Sequence, residues 1–224
     1  MSDLFDLPVS GAYHLVTAMS SLIEPFAGPV AVPVAIVIFT VVIRLLLHPF
    51  SRAAVRGERA RAVLMPRISE LQQRHPNDPE RLRREIAKLQ TETGSSLFVG
   101  CLPMLTQLPF FWVLYRLFSA ATIAGHPNAL LAGSLFGAPI GLHWPLLSGT
   151  PVFIGLAVLL AVVAWFSVRW QSRRAAETGI STPRVLRLLP YGTVLTAAFV
   201  PLAAGLYLLT STAWTVAERA LLYR

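Results

Sequence analysis

Phe39 to Phe50 reads FTVVIRLLLHPF, a run of β-branched residues, leucine and phenylalanine broken by one arginine. Without Arg44 the stretch is apolar enough to lie in lipid. An arginine at the centre of a lipid-embedded helix costs about 2.5 to 3.5 kcal/mol on insertion scales. Either its head reaches water at the end of a span, or water reaches it inside one.

Composition fixes the solvent first. The chain has 224 residues, 54% hydrophobic and 13% charged, with a mean hydropathy of +0.60. Soluble domains carry about 25% charged residues, so this is a membrane protein. Further apolar runs cover Phe98 to Ala124 (broken by Arg116), Val152 to Val168, and Leu188 to Ala217. A span needs about 20 residues, so the last run is too long for one crossing and short for two.

Charge decides between them. Ser51 to Leu97 holds ten basic residues, Arg169 to Arg187 holds five, and the tail holds Arg219 and Arg224, whereas Ser119 to Pro151 has neither Lys nor Arg. By the positive-inside rule the three basic segments are cytoplasmic and the neutral one lies outside. Arg187 and Arg219 then share a side, so the run between them crosses twice, turning near Pro201.

The expected architecture is an all-α polytopic membrane protein with five spans, N-terminus outside and C-terminus in the cytoplasm. Its parts are an extracytoplasmic interfacial helix (1–29), span one (30–48), a cytoplasmic helical hairpin (49–97), span two (98–120), an outer loop (121–150), span three (151–168), a cytoplasmic basic loop (169–187), spans four (188–200) and five (201–217), and a cytoplasmic tail (218–224).

The first thirty residues lack a basic n-region and a small-residue cleavage site, so no cleaved targeting segment is expected. Ala12, Leu15, Val16, Met19, Leu22, Ile23 and Phe26 recur at helical spacing opposite His14, Thr17, Ser21 and Glu24. That pattern predicts an amphipathic helix in the membrane interface; a strap packed on the protein gives the same pattern. After span one, Leu64, Ile68 and Leu71 form one apolar stripe, and Leu82, Ile86 and Leu89 a second, separated by His75-Pro-Asn-Asp-Pro79. Two stripes joined by strong turn chemistry predict an antiparallel hairpin. Its arginine coat is a solvated face, or a surface for anionic lipid headgroups or RNA.

Much chemistry is missing. Cys101 is the single cysteine, and His14, His48, His75, His126 and His143 are scattered without metal-ligand spacing. No phosphate-binding loop, HExxH or GxSxG motif occurs, and the spans hold no paired carboxylates. Neither nucleotide hydrolysis nor enzyme catalysis is expected, and no cofactor. A small transporter remains as an alternative, although no internal repeat is visible.

Three blocks carry a resemblance. They are the sequence around Arg44 followed by HPFS (His48 to Ser51), GCLPMLTQLPFFWVLYRLF (Gly100 to Phe118), and VPLAAGLYLLTSTAWTVAERALLYR (Val200 to Arg224). In order and spacing they resemble the YidC/Oxa/Alb family of membrane protein insertases, from about Val30 to the end. Ser96, Leu97 and Val99, the Pro201 to Ala204 segment and Thr212 depart from the family pattern and mark a divergent member.

The resemblance implies a five-span core with a cytoplasmic hairpin, inserting and helping to fold nascent membrane proteins without nucleotide hydrolysis. It implies that Arg44 sits in a hydrophilic groove open to the cytoplasm and to lipid. From spacing alone the groove stands level with snorkelling, because Arg44 lies one turn before His48 at the cytoplasmic end. Thr40, one turn above Arg44, with Gln107 and Phe111 on span two, matches other groove positions, and Tyr207 is a weaker candidate. Gln107 is also open to a plain inter-helix hydrogen bond. The implied partners are nascent membrane proteins and the bilayer; a ribosome and a secretion channel are left open, and DNA is not expected. Arginine supplies every basic residue except Lys88, a bias typical of a GC-rich bacterial genome, and the bacterial plasma membrane follows.

Overall fold

The computed structural model describes residues 3–93, 112–123, 125–143, 151–178 and 188–223. Helix α1 (Asp3–Ala27) leads through a 3-10 turn (Gly28–Val30) into α2 (Ala31–Leu46). Gly28 has φ +52°, a left-handed conformation that only glycine adopts at little cost. There the chain bends, and α1 packs against α2.

One stripe of α1, made of Val9, Ala12, Val16 and Ser20, is buried. The apolar face expected on this helix is divided: Met19 and Ile23 pack against the core with the stripe, whereas Leu15, Leu22 and Phe26 are exposed. One neighbouring helix cannot cover so wide a stripe. α1 therefore has two apolar surfaces, one against protein and one facing outward.

In α2 the buried positions Ala35, Ile36, Phe39 and Thr40 face the core, while Ile38, Val42, Leu45 and Leu46 are exposed. A helix that exposes its aliphatic residues is stable where lipid is the solvent, since its backbone groups are satisfied internally. Among the described residues, two helical stretches, Leu7–Leu46 and Pro151–Arg173, are long and apolar enough to cross a membrane. Helix α3 (His48–Arg74) follows at once, with Pro49 in its first turn, where a missing N–H is tolerated. Helix α4 (Pro79–Thr93) begins where the Asp78 carboxylate accepts a hydrogen bond from the Arg81 N–H at 2.9 Å, a side-chain N-cap. α3 and α4 are in contact; Leu64 and Ile68 are buried, and Leu71, Leu82, Ile86 and Leu89 are half-buried.

Residues 112–119 form helix α5. The structure is mostly helical, as expected of an all-α membrane protein, and the loop after α5 adds two minimal antiparallel ribbons. Thr122–Ile123 (β1) pairs with His126–Pro127 (β2), and Ser134–Leu135 (β3) with Ala138–Pro139 (β4). Phe136 and Gly137 joining the second pair both have positive φ, 48° and 83°, the signature of a two-residue hairpin turn. Asn128 organises this loop from a buried position. Its amide nitrogen donates to the carbonyls of Leu117 at 2.6 Å and Ala120 at 3.0 Å, and its side-chain oxygen accepts from the Leu130 N–H at 3.2 Å. Leu130, Ala138 and Ile140 enter the core.

Helix α6 (Pro151–Thr178) runs past the apolar segment ending at Val168 into residues expected to form a basic loop. Arginine, glutamine and alanine are good helix formers, and no glycine or proline interrupts before Gly179. After a 3-10 turn (Leu189–Tyr191) come α7 (Gly192–Phe199) and α8 (Leu202–Leu222), separated by extended backbone at Val200 and Pro201. The first turn of α8 leaves N–H groups that need acceptors. The loop supplies them: Leu202 N–H donates to the Leu142 carbonyl at 3.0 Å and Ala203 N–H to the Ile140 carbonyl at 2.9 Å.

α2 starts at the same loop, where a Cβ on Gly133 would lie 2.8 Å from the Val32 Cβ. At the other end, α2 and α8 meet α3. The two helices therefore run in the same direction, from the loop toward α3.

Candidate functional site

Along the α2–α8 contact, polar residues recur at helical spacing. Thr40, Arg44 and His48 occupy i, i+4 and i+8 at the end of α2 and the start of α3; Tyr207, Ser211 and Glu218 occupy i, i+4 and i+11 on α8. Such spacings line one face of each helix. The two faces meet in two rungs. Arg44 Nη2 donates to Ser211 Oγ. Further toward α3, His48 Nδ1 lies 2.5 Å from Glu218 Oε1.

Arg44 lies in the last turn of α2 and is half-buried. Its guanidinium has five N–H donors in a planar fork, and a neutral hydroxyl occupies only part of that capacity. Tyr207 and Glu218 lie within Coulombic range of it. Thr40 is buried and donates its hydroxyl to the Ile36 carbonyl at 2.7 Å. It contributes a small side chain one turn from Arg44 and has its donor already engaged. Of the five expected site residues, Arg44, Thr40 and Tyr207 line the α2–α8 contact, and Gln107 and Phe111 lie outside the described residues.

Ser211, His48 and Glu218 were not anticipated. For two of them a signal was present: Glu218, the one acidic residue in Val200 to Arg224, directly follows the terminal apolar run on the same helical face as Ser211 and Tyr207, and His48 sits one turn after Arg44.

Below the two rungs, the root of α3 is fastened to the end of α8. Glu58 accepts from Arg219 Nη2 at 2.7 Å through one oxygen and from the Tyr223 hydroxyl at 2.6 Å through the other. Arg59 donates to the Leu222 carbonyl at 2.7 Å and stacks over the Tyr223 ring at 5.2 Å. The same ring meets Trp170 of α6 edge-on at 5.1 Å. Tyr223 thus ties three helices together.

Chemically, the contact presents a cation whose donors are only partly engaged among the described residues, between apolar helices, and a buried carboxylate one rung away. It has the makings of a binding surface for charge inside a membrane. Residues 23–224 match the family model described as 60Kd inner membrane protein. The chain belongs to that family. It is the insertase family that the three sequence blocks resemble.

Among curated proteins, this family member is 33% identical to the membrane protein insertase YidC of Mycobacterium leprae, over 78% of this chain and 57% of the relative. It is 32% identical to the YidC insertase of Mycolicibacterium paratuberculosis, over 92% of this chain and 70% of the relative. Identity to YidC 1 of Lactococcus lactis is 28%, over 99% of this chain and 76% of that protein. The chain thus spans less than two thirds of the M. leprae protein. It is a bacterial membrane protein of the YidC/Oxa/Alb family.

Proposed function

We propose that this chain is a membrane protein insertase, which moves the polar tails of nascent membrane proteins across the bilayer through a hydrophilic groove bearing Arg44. The observation that carries the reading is Arg44 itself: half-buried between apolar helices and, among the described residues, held by the Ser211 hydroxyl and by no carboxylate hydrogen bond. A guanidinium bonded to a neutral group keeps its charge available to a transient anion.

The mechanism follows from electrostatics. Water in the groove solvates the guanidinium and shortens the apolar path of a polar tail. At 4 Å, opposite unit charges attract by about 1 kcal/mol in water and about 4 kcal/mol at the effective dielectric of a protein surface. That range lowers the barrier for an acidic tail and still allows release. No nucleotide hydrolysis enters, because attraction and the burial of the substrate's apolar segment in lipid supply the drive.

In this reading the five-span arrangement holds, with the loop at residues 121–150 outside and α3, α4 and the C-terminus in the cytoplasm. Gln107 and Phe111 complete the groove with Thr40 and Tyr207. Nascent membrane proteins and the lipid bilayer are the partners; a ribosome and a secretion channel are candidates for delivering substrate to the basic α3–α4 pair.

The test is insertion of matched single-span substrates, differing only in tail charge, by the reconstituted protein. Arg44→Ala should impair acidic tails and leave neutral ones near normal, while Arg44→Lys should keep most activity because a point charge suffices. Equal loss for both tails at normal protein level would overturn the charge-attraction mechanism. Uptake of a small solute without insertion of either substrate would favour a transporter.

A further inference from the structure

Glu218 is the one buried charged side chain among the described residues, 7% exposed, and the proposed function gives it no task. A buried carboxylate is costly unless it is paired. Its partner is His48, 39% exposed, at 2.5 Å. The pair sits one rung beyond Arg44–Ser211 in the direction of α3, because His48 lies one turn after Arg44 and Glu218 two turns after Ser211. In order along the seam stand Arg44 and, nearer α3, the Glu218 carboxylate with the His48 ring as its hydrogen-bond partner.

We infer that Glu218 is a specificity-determining residue of this seam: a resident counter-charge that limits the preference for acidic tails and lets tails carrying a basic residue pass. The inference rests on the insertase reading. A tail approaching from the α3 end meets the field of Glu218 before that of Arg44. An acidic tail residue gains the attraction of Arg44 less the repulsion of Glu218, and a basic one experiences the reverse. Glu218 acts through its field and needs no contact with substrate. In a partly desolvated seam a field of this kind is screened less than at an open surface. Neutralising Glu218 leaves Arg44 unopposed, so acidic tails gain and basic tails lose.

The experiment uses the full chain reconstituted in vesicles, with three test substrates whose translocated tails carry Asp, Asn or Lys at one position. Protease-protected insertion is read as the Asp:Asn and Lys:Asn ratios, which cancel any general loss of activity. Glu218→Gln should raise the first ratio and lower the second, each by about threefold or more. The pair His48→Gln with Glu218→Gln keeps a hydrogen bond between the same positions and should give the same shifts. Glu218→Asp, which keeps the charge, should leave both ratios near wild type.

Arg44→Ala runs alongside as a separate arm. If it leaves the Asp:Asn ratio unchanged, the groove reading fails and this inference falls with it. If it lowers that ratio while both glutamine variants leave the ratios unchanged, only the role assigned to Glu218 is wrong. Should neither glutamine variant accumulate as folded protein, Glu218 is a folding residue and the inference is overturned.

Discussion

The two ends of the α2–α8 pair are built from different materials. At the loop end the helices are tied to the loop by backbone hydrogen bonds from Leu202 and Ala203 and by a close approach at Gly133 where a Cβ has no room, and the loop itself is braced against α5 by Asn128. At the α3 end polar and charged side chains take over: Arg44 with Ser211, His48 with Glu218, and Glu58 with Arg219. Uncharged, short-range contacts suit a closed, dry junction. Charges suit a wet one, where water can share their solvation. Under the proposed function, stability belongs to the loop end and activity to the α3 end.

The largest stability effect is therefore expected at Asn128. Asn128→Ala strips partners from two carbonyls and one N–H, and should destabilise the fold by about 1 to 3 kcal/mol, seen as a lower unfolding midpoint in lipid nanodiscs. An unchanged midpoint would show that the loop does not close this end.

Next come the close approaches. Gly133→Ala would place a Cβ 2.8 Å from the branched Cβ of Val32, whereas a Cβ on Gly205 would meet only the Cδ2 tip of Leu156, at 2.6 Å. Overpacking costs about 1 to 3 kcal/mol where neighbours cannot yield; both should fall below Asn128→Ala, and the stiffer neighbour should make Gly133→Ala the costlier of the two. The reverse order would mean that the loop yields more readily than the α6–α8 packing.

The smallest stability effect belongs to the α3 end. Glu58→Gln breaks a partly exposed ion pair with Arg219, 28% and 38% exposed, and such pairs contribute about 0.2 to 1 kcal/mol. Its midpoint should barely move. A drop as large as that of Asn128→Ala would erase the division between the ends.

How much of this was legible in the sequence depends on the range of the interaction. The apolar run of α2, the proline at the start of α3 and the Asp78 cap of α4 are local, and composition and spacing reveal them. Arg44 stood out because one charge in an apolar run is anomalous by itself. Ser211 did not, since serine is unremarkable in an apolar helix until a guanidinium 167 residues away in sequence finds it. Asn128 lies in a loop, where no periodicity marks a buried position. The continuation of α6 to Thr178 was hidden for another reason: hydropathy tracks where lipid ends, and helix propensity carries on beyond it.

In the proposed function one seam between α2 and α8 is dry at the loop end and hydrated at the α3 end, and this is open to a direct measurement. In a background lacking Cys101, Thr215→Cys and Ala203→Cys place single thiols on α8 near the two ends, and a membrane-impermeant maleimide is applied from each side of sealed vesicles. Thr215→Cys should react from the side that bears α3, and Ala203→Cys from neither. Labelling of Ala203→Cys from the loop side, or equal silence at both positions, would contradict a seam closed at one end and open to water at the other.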